Sequence, residues 1–194
     1  ATEMHQVSSP RRFFVIDPID GTRSFIRGED TWCVSVAVIE AGRPIAGVID
    51  VPATGEVFSA AAGGTALLNG APLSVSQPEP NVRLKVSMPD PMRRALGADG
   101  ENRIAYARNA PSLAYRLALV ACGRLDGTLI RPHANDWDVA AGDLILERAG
   151  GSLVDLGGAL AHYTVEGRRH DVLIAAARHA LPTLIGLAAT ASAA

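Results

Sequence analysis

The 194-residue chain is 48% hydrophobic and 20% charged, enough apolar surface to bury a core and too much for a disordered chain. A formal net charge of -2 gives no basic surplus, so a nucleic-acid polymer is not indicated and a small ligand is the default expectation. The polar start, residues 1–12, lacks the apolar core of a signal peptide. The one long apolar tract, 172–191, is broken by Arg178, His179 and Pro182, so no membrane span is expected.

In chain order, the apolar run 13–16 predicts a strand that enters Asp17-Pro18-Ile19-Asp20-Gly21-Thr22. Further strands are expected over 34–39, 45–51 and 57–59, with a turn at 41–44. Asn69-Gly70 between 66–68 and 72–75 is a hairpin signal, so the first 80 residues read as an antiparallel meander. The Pro-rich segment 77–80 marks a boundary between two layers, 1–80 and 81–194, joined in one compact unit. The second half alternates: strand 84–87, helix 91–96, strand 103–107, and helix 112–122 from a Ser112 N-cap. Strand 127–130, helix 138–149, strand 172–176 and a C-terminal helix follow. Strands alternating with helices imply an α+β chain with sheet layers sandwiched between helices.

Two carboxylates three positions apart, closed by Gly-Thr, suit a divalent metal that holds a phosphate. Pro18 pushes Asp17 toward extended backbone, and Gly21 lets the chain approach a ligand without a Cβ. The competing explanation is an ordinary Asp-Pro, Asp-Gly turn. Farther along, Asp136-Trp137-Asp138 opens a helix, where capping of free N–H groups alone explains an Asp. Asp126-Gly127-Thr128 repeats three of the letters between a helix and a strand and reads as a structural turn. The five His form no metal-spaced set. Trp32 and Trp137 are expected as core anchors, Glu29 and Asp30 as solvated loop residues, and Cys33 and Cys122 as reduced, buried thiols of a cytoplasmic protein.

Together the DPIDGT turn and the segment WDVAAGDLILERAGG resemble the inositol monophosphatase family of Mg²⁺-dependent, lithium-sensitive phosphatases. Residues 64–76 resemble its hairpin. The resemblance implies a layered α/β sandwich of the sugar-phosphatase type and hydrolysis of a small, soluble phosphate ester by metal-activated water, with no covalent intermediate. By this resemblance Asp17, the Ile19 carbonyl, Asp20 and Asp138 hold two or three Mg²⁺ ions. Gly21 and Thr22 offer N–H groups to the phosphate, and Thr22 Oγ orients the attacking water, so Asp17, Asp20 and Thr22 form the catalytic set. Ser112, Arg131 and Asp138 are expected at the substrate. A homodimer is also implied.

The match departs from the family in two places. The family carries an acidic pair upstream of the turn, whereas Glu3 is the one acid before Asp17, and the family's N-terminal helices have no counterpart in the chain. Seven positions before Asp138, where inositol phosphatases carry Glu, stands Arg131, and Pro111 replaces a usual Gly. An Arg only donates, so it favours an anionic group over sugar hydroxyls. The alternatives are an exposed Arg that ends the strand 127–130, or a substrate with a second anionic group. Inositol phosphates, 3'(2'),5'-bisphosphate nucleotides and histidinol phosphate are all substrates within the family. A non-catalytic metal- or phosphate-binding relative is the competing class.

Overall fold

The computed structural model describes residues 12–193. β1 (Arg12–Asp20) leads through a short helix α1 (Thr22–Ile26) into β2 (Cys33–Glu40), β3 (Arg43–Val51), β4 (Glu56–Ala61), β5 (Leu67–Leu68) and β6 (Ala71–Pro72). These six strands pair in sequential order, each antiparallel to the next. The expected hairpin closes at Asn69 and Gly70, whose positive φ angles of 49° and 81° suit a tight turn between twisted strands. Asn69 also ties the hairpin back: its Oδ1 accepts from Val57 N at 2.7 Å and its Nδ2 donates to Gly55 O at 3.0 Å.

The second half alternates as expected. It runs β7 (Leu84–Ser87), α2 (Asp90–Arg103), β8 (Ile104–Ala107), α3 (Leu113–Ala121), β9 (Gly127–Ile130), β10 (Ala134–Asn135) and α4 (Asp136–Arg148). β11 (Gly151–Asp155), β12 (Arg169–His170), β13 (Leu173–Ala177) and α5 (Leu181–Ala193) complete it. Five strands form a mixed sheet in the order β11-β13-β9-β7-β8, with β7 parallel to both β8 and β9. β10 and β12 make a separate two-stranded ribbon.

Helices α3 and α4 lie between the sheets, and α2 and α5 cover the other face of the five-stranded one. Ile39, Ile49 and Phe58 of the first sheet meet Leu117, Leu144 and Ile145 of the central helices in one core. Small residues let these layers close. A Cβ on Gly47 would stand 3.1 Å from the Ala141 backbone, and one on Gly142 would stand 2.6 Å from Leu117 Cβ. The layer boundary expected near residue 80 falls in the link between the sheets, while the core draws on both halves of the chain. The outer face of the first sheet leaves Phe14, Ile16, Val48 and Val57 exposed.

Several expectations change in detail. β1 continues through the DPID segment instead of ending at Ile16. α2 extends to Arg103 across a break at Gly97 (φ 55°), and β11 begins at Gly151, directly after the Gly150 that follows α4. Asp126 is a turn residue, its carboxylate accepting from Ser76 Oγ and from Lys85 N at 2.6 Å. Trp137 is not a core anchor, being 43% exposed, and Trp32 is half-buried with Phe25 edge-on at 4.9 Å. Glu29 is held by Ser24 Oγ at 2.9 Å instead of being merely solvated. Cys33 is buried and Cys122 half-buried, both free thiols. Among the described residues no helix is long and apolar enough to cross a membrane. Glu3 lies outside the described residues.

Candidate active site

The strand β1 carries both acids of the DPID turn, and a bulge decides where they point. Asp17 pairs with Ser35 and Asp20 with Cys33, so three residue steps on β1 oppose two on β2. In a regular strand, residues three apart face opposite sides of the sheet. The extra residue turns Asp20 to the side that Asp17 faces. Asp17 Oδ1 accepts from Ile19 N at 2.9 Å, which fastens the bulge internally. Gly21 then reverses the chain at φ 87°, and a Cβ there would come within 3.0 Å of Ser112 Cβ and of Thr31 O, so both conformation and space demand glycine. Thr22 Oγ1 donates back to Ile19 O at 3.0 Å.

The third acid arrives from α4. Asn135 donates from its backbone N at 2.7 Å and its Nδ2 at 3.2 Å to Asp138 Oδ2, so Asp138 does cap the helix, with one of its two oxygens. Asp136 has a different job. It is 2% exposed, accepts from Arg168 N at 2.9 Å and meets His170 Nε2 at 2.8 Å, locking the β10–β12 ribbon from which the helix starts. Carboxylate oxygens of Asp17, Asp20 and Asp138 thereby lie within 4.8 Å of one another.

Asp20 is the most constrained member of this cluster. It is buried, and its Oδ2 accepts from Ser112 Oγ at 2.7 Å and Ala114 N at 2.6 Å. Burial pushes its carboxyl up to about 7 against the pull of those two bonds, and the charges of Asp138 and Asp17 add to the rise. Burial also raises Asp17, opposed by its Ile19 bond. Among the described residues, no ion pair engages any of the three acids. Three hard oxygen donors without a cation fit a hard divalent ion such as Mg²⁺. The nearby Cys33 is no rival ligand, because burial pushes its thiol up to about 12 and its Sγ lies 3.2 Å from Ser112 Oγ.

The cluster borders a cleft of about 1090 Å³ that also carries Arg23 of α1, Arg27 just after it, Arg116 of α3, and Arg131. The cleft opens beyond the carboxyl ends of β7, β8 and β9, where parallel strands generally present ligand sites. Of the expected residues, Asp20, Asp138 and Arg131 line it. Ser112, expected at the substrate, is instead fully buried behind Asp20, where its Oγ also accepts from Tyr115 N at 3.0 Å to cap α3. Arg116 was not singled out by sequence reasoning. The available signal was one charge within a nine-residue helix, LAYRLALVA, that is otherwise apolar apart from its tyrosine.

Three carboxylates without a cation beside an arginine-lined cleft are the mark of a metal-assisted site for anionic ligands. The inositol monophosphatase family model matches residues 2–192, and the chain belongs to that family. It is 35% identical over 157 residues to the Nus factor SuhB of Xylella fastidiosa, covering 77% of this chain and 57% of that protein. It is likewise 35% identical over 154 residues to inositol monophosphatase 2 of Solanum lycopersicum, covering 75% and 58%. Among solved structures, the Thermotoga maritima IMPase superposes with a TM-score of 0.84 at 27% identity, over 98% of this chain and 73% of that one. The chain thus spans under three fifths of the length of these sequence relatives.

Proposed function

We propose that the chain is the metal- and phosphate-binding body of a Mg²⁺-dependent phosphomonoesterase acting on a small phosphate ester. The observation that carries this reading is the convergence of Asp17, Asp20 and Asp138 within 4.8 Å, without a cation of their own. In this reading those carboxylates and the Ile19 carbonyl hold two or three ions. The bound ions would supply water activation and neutralisation of phosphoryl charge. The chain's own residues do the positioning. The bulge holds Asp17 and Asp20 on one side, Ser112 and Ala114 fix the Asp20 carboxylate, and the capping bonds from Asn135 orient Asp138. Gly21 and Thr22 present N–H groups to the phosphate, and the Thr22 hydroxyl, adjoining the Ile19 carbonyl, orients the water. Arg23 and Arg27 add positive potential that draws an anionic ester into the cleft.

The test is phosphate release from a panel of sugar, inositol, nucleotide and histidinol phosphates with Mg²⁺, using the chain together with any native upstream residues. Turnover that disappears with a chelator and returns with Mg²⁺ supports the reading, and no release from any ester overturns it. Inhibition by lithium, a homodimer by light scattering and a cytoplasmic location by fractionation are further expectations of the same reading. A second reading, a binding role on the same scaffold, draws support from the relative named as a Nus factor. Metal-dependent phosphate release separates the two.

A further inference from the structure

Asp136 is a buried acid with no task in the chemistry above, although it stands two residues before Asp138, a proposed metal ligand. Its partner His170 is buried as well. Asp136 Oδ1 lies 2.8 Å from His170 Nε2, and its Oδ2 accepts from Arg168 N at 2.9 Å. A carboxylate accepts, which puts the imidazole hydrogen on Nε2. Tyr163 meets the His170 ring edge-on, with centroids 5.8 Å apart, and its own hydroxyl donates to Asp143 Oδ2 farther along α4 at 2.9 Å. α4 begins at Asp136, in the turn whose N–H groups have no partner within the helix. Side chains two apart on a helix diverge by about 200°, so Asp136 and Asp138 leave opposite sides of that turn. Asn135 holds the Asp138 side, and His170 with Arg168 holds the other.

His170 has a second grip, through its backbone. Its carbonyl accepts from His133 N at 2.7 Å. His133 stands at φ 76°, a left-handed backbone that residues other than glycine adopt at a cost and keep only where neighbours hold them. Residues 131–135 line the cleft together with Asp138. The strands that carry this lip, β10 and β12, are two residues each and, among the described residues, pair with neither sheet. So short a ribbon is marginal alone, and the bonds of Asp136 and His170 are what fasten it to α4.

We infer that Asp136 and His170 are positioning residues for the metal site. The His170 ring ties the ribbon to the first turn of α4, and its carbonyl ties the same ribbon to the cleft lip. Asp138 thereby keeps the place at which its carboxylate meets those of Asp17 and Asp20. Neither residue of the pair is a ligand, so their effect is read in metal affinity. The choice of Mg²⁺ rests on the phosphatase reading of the three carboxylates, while the clamp itself is a matter of binding.

Calorimetric titration with Mg²⁺ tests it on the protein with any native upstream residues. Asp136→Ala should weaken Mg²⁺ binding by about tenfold, the low end for a residue that orients a metal ligand. Asp136→Asn should stay within about threefold of the wild type, because its amide oxygen still accepts from Arg168 N and its NH₂ donates to the other tautomer of His170. Both variants remove the same charge, so the gap between them isolates the hydrogen bonds. His170→Leu should weaken binding as Asp136→Ala does, and His170→Gln, whose amide still donates to Asp136, should recover most of the loss. Arg43→Met, which unseats Asp143 on the same helix, is the control for stability and should leave Mg²⁺ affinity within about twofold. A folded Asp136→Ala with wild-type affinity overturns the clamp. So does Asp136→Asn as weak as Asp136→Ala, or a loss in Arg43→Met equal to theirs, which would mark a general loosening of α4. If the alanine variant does not fold, the gap between His170→Leu and His170→Gln decides, and no gap overturns the inference. In phosphate release, the Mg²⁺ concentration for half-maximal rate should rise in step with the calorimetric loss while kcat at saturating Mg²⁺ holds. A wild type that binds Mg²⁺ and releases no phosphate overturns the phosphatase reading alone; one that binds no Mg²⁺ overturns both.

Discussion

Asp20 and Asp143 are two buried carboxylates, 6% and 1% exposed, that the fold treats in opposite ways. Asp143 Oδ2 accepts from Arg43 Nη1 at 2.8 Å and from Tyr163 Oη at 2.9 Å, and Arg43 reaches on to Ala161 O at 2.6 Å. This cluster binds α4 to β3 and to the segment before β12. Asp20 receives a hydroxyl and a backbone amide but no cation, and it stands near two further acids. Burial raises the carboxyl of both; Asp143 has an ion-paired arginine to oppose the rise, whereas Asp20 feels the charge of Arg116 without an ion pair to it. A buried charge with its own counter-ion is architecture. One without an ion pair of its own is open to a ligand.

The sharpest way to break this comparison is to neutralise Asp20. Asp20→Asn should lower Mg²⁺-dependent phosphate release by about a thousandfold, since it removes a charge that the bound ions require. The metal-free melting temperature should hold or rise, because the substitution relieves the crowding of three acids. A large drop in melting temperature would place Asp20 with Asp143 instead. The counterpart is Arg43→Met, which leaves Asp143 buried with only Tyr163. Urea denaturation should show a loss of about 3 kcal/mol, at the low end for a broken buried pair because Arg43 is partly exposed. A loss below about 0.5 kcal/mol would remove the structural half of the contrast.

The same contrast predicts a pH dependence. In the folded chain burial pushes the Asp20 carboxyl up to about 7, above the 3.8 of an exposed Asp. Between these values the folded state keeps a proton that the unfolded state has lost, so stability must fall as pH rises. In a chelator, the melting temperature should therefore decline from about pH 4 to about pH 7 and then level. Asp20→Asn should flatten that decline. An unchanged slope would assign the titration to another group.

The contrast also explains what could be read from the sequence. The DPIDGT and WDVAAGD segments were legible because their acids sit in short, rigid contexts with Pro, Gly and a helix start around them. The meander and the alternating second half were legible from apolar runs and turn residues. What periodicity could not show was the bulge: a strand that pairs through Pro18 reads as ending before it, and only register reveals that Asp20 shares a side with Asp17. Asp136 and Asp138 look alike as letters. They part only because β12, some thirty residues later, brings Arg168 and His170 to the first and not the second. β11 was hidden by its brevity and by the glycines that also stop α4. Arg116 went unnoticed, and Ser112 was expected at the substrate, for one reason: whether a polar side chain on a helix faces a cleft or a core depends on the layer packed against it.

Ser112 supplies the finest test, because its one hydroxyl serves both halves of the comparison. It donates to Asp20 Oδ2 at 2.7 Å and accepts from Tyr115 N at 3.0 Å, so it positions a proposed metal ligand and caps α3 at once. Ser112→Ala loses both bonds. It should lower stability by about 1 kcal/mol, the usual cost of an N-cap, and weaken Mg²⁺ binding by about tenfold as the Asp20 carboxylate loosens. Ser112→Gly separates the two effects, because glycine at an N-cap costs only a few tenths of a kcal/mol while the Asp20 bond is lost just the same. Titration calorimetry with Mg²⁺ should then find both variants equally weakened, while urea denaturation finds the glycine variant the more stable. Should metal affinity instead follow stability across the pair, the hydroxyl would belong with Arg43 among the structural bonds, and the carboxylate cluster would hold its shape without it.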